Sequence, residues 1–316
     1  MTAIAPEADG TGRVLDLAEQ AVTVITVTYN SADDVGTMLE SLSRAGLASD
    51  AEVLVVDNAS TDATARVVSG LGRGTLLACG ENLGYSGAIN RGREARRAPG
   101  PVLVVNPDLH LESGALGQLC AASRDNVGIV VPKIVDEHGR LFHSLRREPT
   151  VRRALGDACF GRRWPRRPAW LSEVVWDDRE YERAQDIDWA TGAAMLVSRA
   201  CEGAVGAWDE HRFFLYSEET DYARRARDAG LRVHYVPTAV VMHRGSGSGA
   251  SAELVALLVV NRVRYFEKYH GRAHATAFRV VAAFHELLRF WDFNHRVALC
   301  FVTRRRTWQS LPGNRL

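Results

Sequence analysis

Four short runs of β-branched and apolar residues, each separated from the next by a stretch with helical spacing, constrain this chain more than any other feature. Val22 to Thr28 suits a buried strand, and Ala32 to Arg44 has the spacing of a helix. Glu52 to Asp57 is a second buried strand that ends on an acid, after which Ser60-Thr61-Asp62 can cap a helix running to Gly70. Thr75 to Ala78 is a third strand, Gly84 to Arg97 a helix, and Val102 to Val105 a fourth strand ending in Asn106-Pro107-Asp108. Strands that alternate with helices predict βαβ units and a mainly parallel sheet. Ligands of such sheets sit beyond the carboxyl ends of the strands. Asp57, Asn106 and Asp108 all stand at such ends, so they are expected to face one crevice.

From residue 127 the rhythm changes. Val127 to Ile134, then Asp188 to Ser198, then Arg232 to Pro237 read as strands, with no helix between the first two, which suggests a mixed sheet. Glu218 to Ala229 reads as a helix, Gly245 to Gly249 as a flexible loop, and residues 252 to 306 as helical throughout. The expected organisation is a disordered lead-in over 1–20, one α/β domain over 21–250 and a C-terminal helical extension over 251–316. A formal net charge of +1 argues against a whole-protein field for nucleic acid. The cysteines lie far apart without a C-x-x-C, as in a reduced, cytoplasmic protein. No run of 18 or more apolar residues exists, so any membrane contact is expected from the surface.

Several residues carry chemistry. Asn106-Pro107-Asp108 can hold a hard divalent cation, or simply turn the chain. Asp57 can accept hydrogen bonds from a base or a ribose, or cap the next helix, and Asp62 reads as an acid favoured by the helix dipole. Glu81 to Gly92 is a glycine-punctuated helix entry at which a ligand or another backbone can approach closely. The dinucleotide fingerprint G-x-G-x-x-G is missing after the first strand, where Thr28-Tyr29-Asn30 stands instead. That argues against a dehydrogenase, and the missing phosphate loop argues against a nucleotidyltransferase. Ser217 to Asp221 crowds Glu218, Glu219 and Asp221 into a helix start, where like charges oppose joint ionisation unless a cation or a proton is shared. His243 follows an apolar run and is either a packed residue or a metal ligand.

Taken in order, these motifs resemble glycosyltransferase family 2 with its GT-A fold, over residues 20 to 270. They are Thr28-Tyr29-Asn30, Val55 to Asp62, Glu81 to Gly87, Asn106-Pro107-Asp108, Trp189 to Ala194, Phe214 to Asp221, and His243. The rhamnosyltransferase and galactofuranosyltransferase branch is the most similar. The resemblance implies an α/β fold with a mainly parallel Rossmann-like sheet, a mixed second half and a C-terminal helical extension. It implies donor binding by Thr28, Tyr29, Asn30, Asp57, Asn82, Gly84, Gly87, Asn90, Asn106, Thr191 and Gly192. It also implies a divalent metal, Mg²⁺ or Mn²⁺, on Asp108 and His243. Glu219 takes the place of the family's general base, where the rhamnosyltransferase branch usually has Asp; Glu218 and Asp221 are the alternatives.

The function implied is inverting transfer of a sugar from a nucleotide-diphosphate donor, foremost L-rhamnose from dTDP-rhamnose, to a hydroxyl of a glycan, lipid-linked or natural-product acceptor. A galactofuranosyltransferase using UDP-galactofuranose and a nucleotide-sugar-binding protein without transfer activity are the rival readings. Between Arg146 and Arg167 lie eight arginines (146, 147, 152, 153, 162, 163, 166 and 167), against the acids Glu148 and Asp157, with Trp164 and Trp170 interleaved. This stretch can meet a lipid diphosphate or another anionic acceptor, or be a solvated loop. In the tail, Val280, Val281, Phe284, Leu287, Leu288 and Trp291 recur at helical spacing, with Arg304-Arg305-Arg306 beyond. That face suits the inner membrane surface, the catalytic domain or a homodimer partner.

Overall fold

The structure, a computed structural model, describes residues 22–97, 99–244 and 251–313. The first half follows the alternation expected from the sequence: β1 (Thr23–Thr28), α1 (Val35–Arg44), β2 (Val53–Asp57), α2 (Thr64–Leu71), β3 (Thr75–Ala78), α3 (Gly84–Ala95) and β4 (Val102–Val105). All of β1 and β4 is buried, because helices cover both faces of the sheet. Side chains alternate between two cores: Val24, Val55 and Leu103 meet Met38 and Leu42 of α1, whereas Ile25, Val56 and Val104 meet Ala88 and Ile89 of α3. A side chain at Gly92 would bring its Cβ to 2.9 Å from Ile25, so α3 lies close on the sheet.

The second half continues with β5 (Leu109–Leu111), α4 (Ala115–Ala122), β6 (Val127–Val135), β7 (Leu145–Arg146), α5 (Val151–Phe160), β8 (Gln185–Ile187), β9 (Trp189–Ala190), β10 (Ala194–Val197), α6 (Arg199–Val205), α7 (Glu218–Asp228) and β11 (Arg232–His243). The sheet order is β3-β2-β1-β4-β10-β6-β11-β5, with β8 beside β11 and β7 paired with β9 separately. The first four strands are parallel. β10 inserts antiparallel between β4 and β6, and β11 runs parallel to β6 but antiparallel to β5. The α/β architecture with a mixed second half is therefore the one expected. Because β10 is reversed, its first residues arrive at the carboxyl edge of β4, where the expected crevice lies.

Three local expectations need correction, and one alternative is narrowed. The arginine-rich interval, open to being a solvated loop, contains a helix: Thr150 caps α5 by accepting from the Arg153 N–H. Asp188 to Ser198 is two strands parted by Thr191-Gly192-Ala193. β11 does not stop at Pro237 but runs to His243, with a register shift between Val236 and Val240 that takes up the proline. Residues 252 to 306 are not helical throughout. They form α8 (Ala252–Tyr269), α9 (Arg272–Leu287) and α10 (Phe293–Thr303), broken at His270-Gly271 and again at 288–292.

These three helices share a core of Leu257, Val260, Phe266, Phe278, Ala298 and Trp308. Of the apolar tail residues, Val281 packs against that core, whereas Val280, Phe284, Leu287, Leu288 and Trp291 are exposed, Trp291 at 78%. Among the described residues no helix is long and apolar enough to cross a membrane. The expected lead-in over 1–20 and the loop Gly245 to Gly249 lie outside the described residues.

Candidate active site

The adjacent ends of β1 and β2 fix one carboxylate. Thr28 donates its hydroxyl to Asp57 Oδ1 at 3.0 Å, Ser60 donates to the same oxygen at 2.5 Å, and the Ser60 N–H reaches Oδ2 at 3.2 Å. Asn30 holds a positive φ of 52°, which asparagine tolerates better than most residues, and its Oδ1 accepts from the Thr61 N–H at 2.8 Å. Tyr29 beside it is 54% exposed, an aromatic face at the rim. Asp62 stands two residues before α2 and accepts from the Thr64 N–H and also from the Ala32 N–H.

The glycine-punctuated entry of α3 makes close approach to protein. Gly84 has φ +76°, and a Cβ there would lie 2.3 Å from the Phe214 carbonyl oxygen; the Tyr85 N–H donates to that same oxygen at 2.6 Å. Gly87 is similarly tight against Leu83. Asn82 accepts from the side chain of Asn58, which also donates to the Gly84 carbonyl. Asn90, expected among the donor ligands, is buried, and its amide clamps Trp208 and Glu210: it donates to the Trp208 carbonyl and Glu210, and accepts from the Trp208 N–H. With its donors and acceptor engaged by protein, Asn90 clamps the segment around Trp208. Tyr85, which sequence reasoning did not single out, joins distant segments by donating to Asn106 Oδ1 at 2.8 Å and to the Gly192 carbonyl at 3.2 Å.

At the end of β4 the Asn106 N–H donates to the Ala193 carbonyl at 2.8 Å. The β5–β11 ladder pairs Leu109 with His243, which brings His243 Nε2 to 2.8 Å from Asp108 Oδ2. Asp108 Oδ1 is buried without a hydrogen-bond partner. A shielded carboxylate oxygen lacking a donor, beside an imidazole, is a donor set that suits a divalent cation. A second group, His285, Glu286 and His295, differs: each imidazole Nδ1 hydrogen-bonds its own oxygen of Glu286, at 2.7 and 2.6 Å. Both oxygens are thereby satisfied, and the group ties α9 to α10.

The acids of α7 sit behind a turn in which Tyr216 and Ser217 both take φ of 70°, a conformation of the kind that persists where surrounding structure imposes it. Glu218 is buried, and Oε2 of both Glu218 and Glu219 has no partner. Burial pushes the Glu219 carboxyl up to about 7. Burial, with the Glu219 charge beside it, holds Glu218 well above the ordinary carboxylate range. Gly192 lies over this pair, where a Cβ would be 3.3 Å from that of Glu219. Asp221 is placed differently. Its Oδ1 accepts from Lys268 at 2.6 Å and Tyr269 at 2.7 Å, and its Oδ2 from Arg225 at 2.8 Å. With both oxygens engaged by cations and a phenol, Asp221 anchors α7 to α8.

Glu218 and Glu219 line a cavity of about 670 Å³ together with Tyr85, Asn106, Thr191, Gly192 and His243. Arg146, Arg162, Arg262, Arg289 and Trp176 line the same cavity. The arginine-rich interval therefore divides. Arg167 is buried in an ion pair with Asp157, and Arg147 and Arg153 donate to backbone carbonyls. Arg152, Arg162, Arg163 and Arg166 are exposed, and Arg146 and Arg162 also line the cavity. Arg262 of α8 and Arg289 after α9 were missed, because nothing local marks a helix as closing a distant crevice.

The Glycosyl transferase family 2 model matches residues 23–173. An N-acetylglucosaminyl-diphospho-decaprenol L-rhamnosyltransferase of Mycobacterium tuberculosis is 36% identical over 238 residues, covering 71% of this chain and 76% of the relative. Among solved structures, the mannosyltransferase PcManGT from Pyrobaculum calidifontis, in complex with GDP-Man and Mn²⁺, superposes with a TM-score of 0.54 at 18% identity, over 93% of this chain and 77% of that one. A structure of TarS from S. aureus gives a TM-score of 0.50 at 16% identity, over 92% of this chain and 81% of that one. The parallel strand ends, the reversed β10 and the motif order thus coincide with a sequence relationship that spans most of the chain: it belongs to glycosyltransferase family 2, and it is a GT-A glycosyltransferase that draws on a nucleotide-sugar donor.

Proposed function

We propose that the chain transfers L-rhamnose from dTDP-L-rhamnose, with inversion, to a hydroxyl of a lipid-linked acceptor sugar. The observation that carries the reading is the Glu218–Glu219 pair, whose unpartnered, shielded oxygens belong to a cavity also lined by Asn106, Gly192 and His243. A base must hold its proton affinity near the working pH, and burial raises Glu219 into that range. The more strongly raised Glu218 keeps its proton beside it, since two adjoining buried carboxylates do not both ionise readily. Asp57, held rigid by Thr28 and Ser60, accepts from the donor's base or ribose, with Tyr29 and Asn30 at the rim. The backbone of Thr191 and Gly192, together with Asn106, borders the sugar. Asp108 and His243 would hold Mg²⁺ or Mn²⁺, and that ion supplies positive charge against the leaving diphosphate. Glu219 takes the proton of the acceptor hydroxyl as its oxygen attacks the anomeric carbon from the opposite face, and one displacement inverts the centre.

The relative's name supports the choice of L-rhamnose and of a diphosphate-linked acceptor. The test is a paired incubation with Mn²⁺ and a short-chain N-acetylglucosaminyl diphosphate lipid, offering dTDP-L-rhamnose in one arm and UDP-galactofuranose in the other. Release of dTDP with formation of a rhamnosylated lipid is expected. Turnover of UDP-galactofuranose alone would reassign the donor, and donor binding without turnover of either would leave a binding protein.

A further inference from the structure

The cavity carries both signs of charge: Glu218 and Glu219 share its lining with four guanidinium groups, of Arg146, Arg162, Arg262 and Arg289. Only part of that positive charge is neutralised. Arg262 pairs with Glu173, and Asp157, another acid of the cavity lining, is taken by Arg167. Among the described residues no carboxylate pairs with Arg146, Arg162 or Arg289. Arg146 donates to the carbonyls of His143 and Leu145 and lies 5.9 Å from the centre of the Trp189 ring. Arg289 donates to the carbonyls of His285 and Ala158, and the Arg162 guanidinium lies over Trp176 at 5.3 Å.

Three cations in one concavity repel each other, and Arg146 and Arg289, which are half-buried, are unfavourable without a paired carboxylate. An entering anion relieves both terms. Planar guanidinium forks match the oxygens of phosphate, and rings behind them keep the forks oriented. The surroundings also bear on what the anion is attached to. Leu258 lines the same cavity and is 40% exposed, and the residues next to Arg289, namely Leu288, Phe290 and Trp291, are exposed apolar side chains. A phosphate held here therefore shares the cavity with the acids and has exposed apolar side chains near it. That combination suits an amphiphile that carries a sugar, a phosphate and an apolar tail.

We propose that Arg146, Arg162 and Arg289 form an anion subsite for the acceptor, gripping the phosphate that joins the acceptor sugar to its carrier while the sugar hydroxyl rests at Glu219. The proposal deepens the functional reading above and rests on it for the direction of the acceptor. The Arg146 charge also reaches Glu219 and favours its ionised form, so anion and base occupy one electrostatic unit.

The test compares the intact protein with Arg162→Gln, Arg289→Gln and Arg162→Lys. Binding of the N-acetylglucosaminyl diphosphate lipid is titrated calorimetrically without donor, against a phosphate-free alkyl N-acetylglucosaminide and against dTDP. Each glutamine variant is expected to weaken the diphosphate lipid about tenfold or more, as loss of a charge-assisted hydrogen bond does. The preference over the phosphate-free glycoside narrows accordingly, the affinity for dTDP holds, and Arg162→Lys recovers part of the loss. Unchanged affinity for the diphosphate lipid in both glutamine variants overturns the proposal. A loss of dTDP affinity in step with the lipid overturns it too, because the arginines would then serve the donor diphosphate. Since no donor sugar is present, the outcome is independent of whether rhamnose is the sugar transferred.

Discussion

Glu219→Gln is expected to lower kcat about 10²–10⁴-fold while leaving donor affinity almost unchanged. Glutamine keeps the size of the side chain but cannot accept the proton of the attacking hydroxyl. A second readout separates this loss from damage to the fold. The folded-state affinity of Glu219 for its proton is raised above its ordinary value by burial. The associated stability is therefore fully present below about pH 4.5, the usual glutamate range, and is lost as pH rises through about 7. Glutamine does not titrate, so the variant should melt higher than the wild type at pH 8.5 and close to it at pH 4.5. Glu219→Asp withdraws the carboxylate by about 1 Å, and a shift of that size can lower the rate on the order of 10²-fold. Wild-type turnover in Glu219→Gln would remove this residue from the chemistry.

Asp108→Ala is expected to lower transfer on the order of 10³-fold, because charge stabilisation by a bound ion amounts to several kcal/mol of the barrier. In the wild type, chelation by EDTA should produce a fall of similar size, and Mn²⁺ should restore the rate. The variant should respond to neither. The fold should persist: His243 is the side-chain partner of Asp108, and Asp108 Oδ1 has none. Full wild-type activity in EDTA would contradict the assignment of Asp108 and His243 to a metal.

The residues legible in the sequence are those whose placement follows from one strand and its end. β1, β2 and β4 are β-branched runs buried on both faces, and the polar residues that terminate them, Thr28, Asp57 and Asn106, meet at one edge because parallel strands end together. The acids of α7 were legible as a crowd of like charges, but not in their division of labour. Asp221 is turned to structure by Lys268 and Tyr269, which lie 47 and 48 residues away in α8. Asn90 is a related case, since a buried amide that clamps Trp208 has the same local pattern as one that waits for a ligand. Pro237 reads as a strand end, yet the register shift of β11 absorbs it and carries His243 to Asp108. Least legible was the contribution of the C-terminal helices. Leu258, Arg262 and Arg289 complete the cavity although their sequence reads only as an amphipathic extension.

The dependence of kcat/KM for the acceptor on pH tests the central claim, a buried acid pair poised to take a proton, most directly. That parameter reports the ionisation of the unliganded enzyme, and the pair titrates as a unit. With Glu219 pushed up to about 7, the rate should fall about tenfold per pH unit below that value and level off above it. A profile that stays flat down to pH 5, the behaviour of an ordinary solvent-exposed carboxylate, would contradict the account.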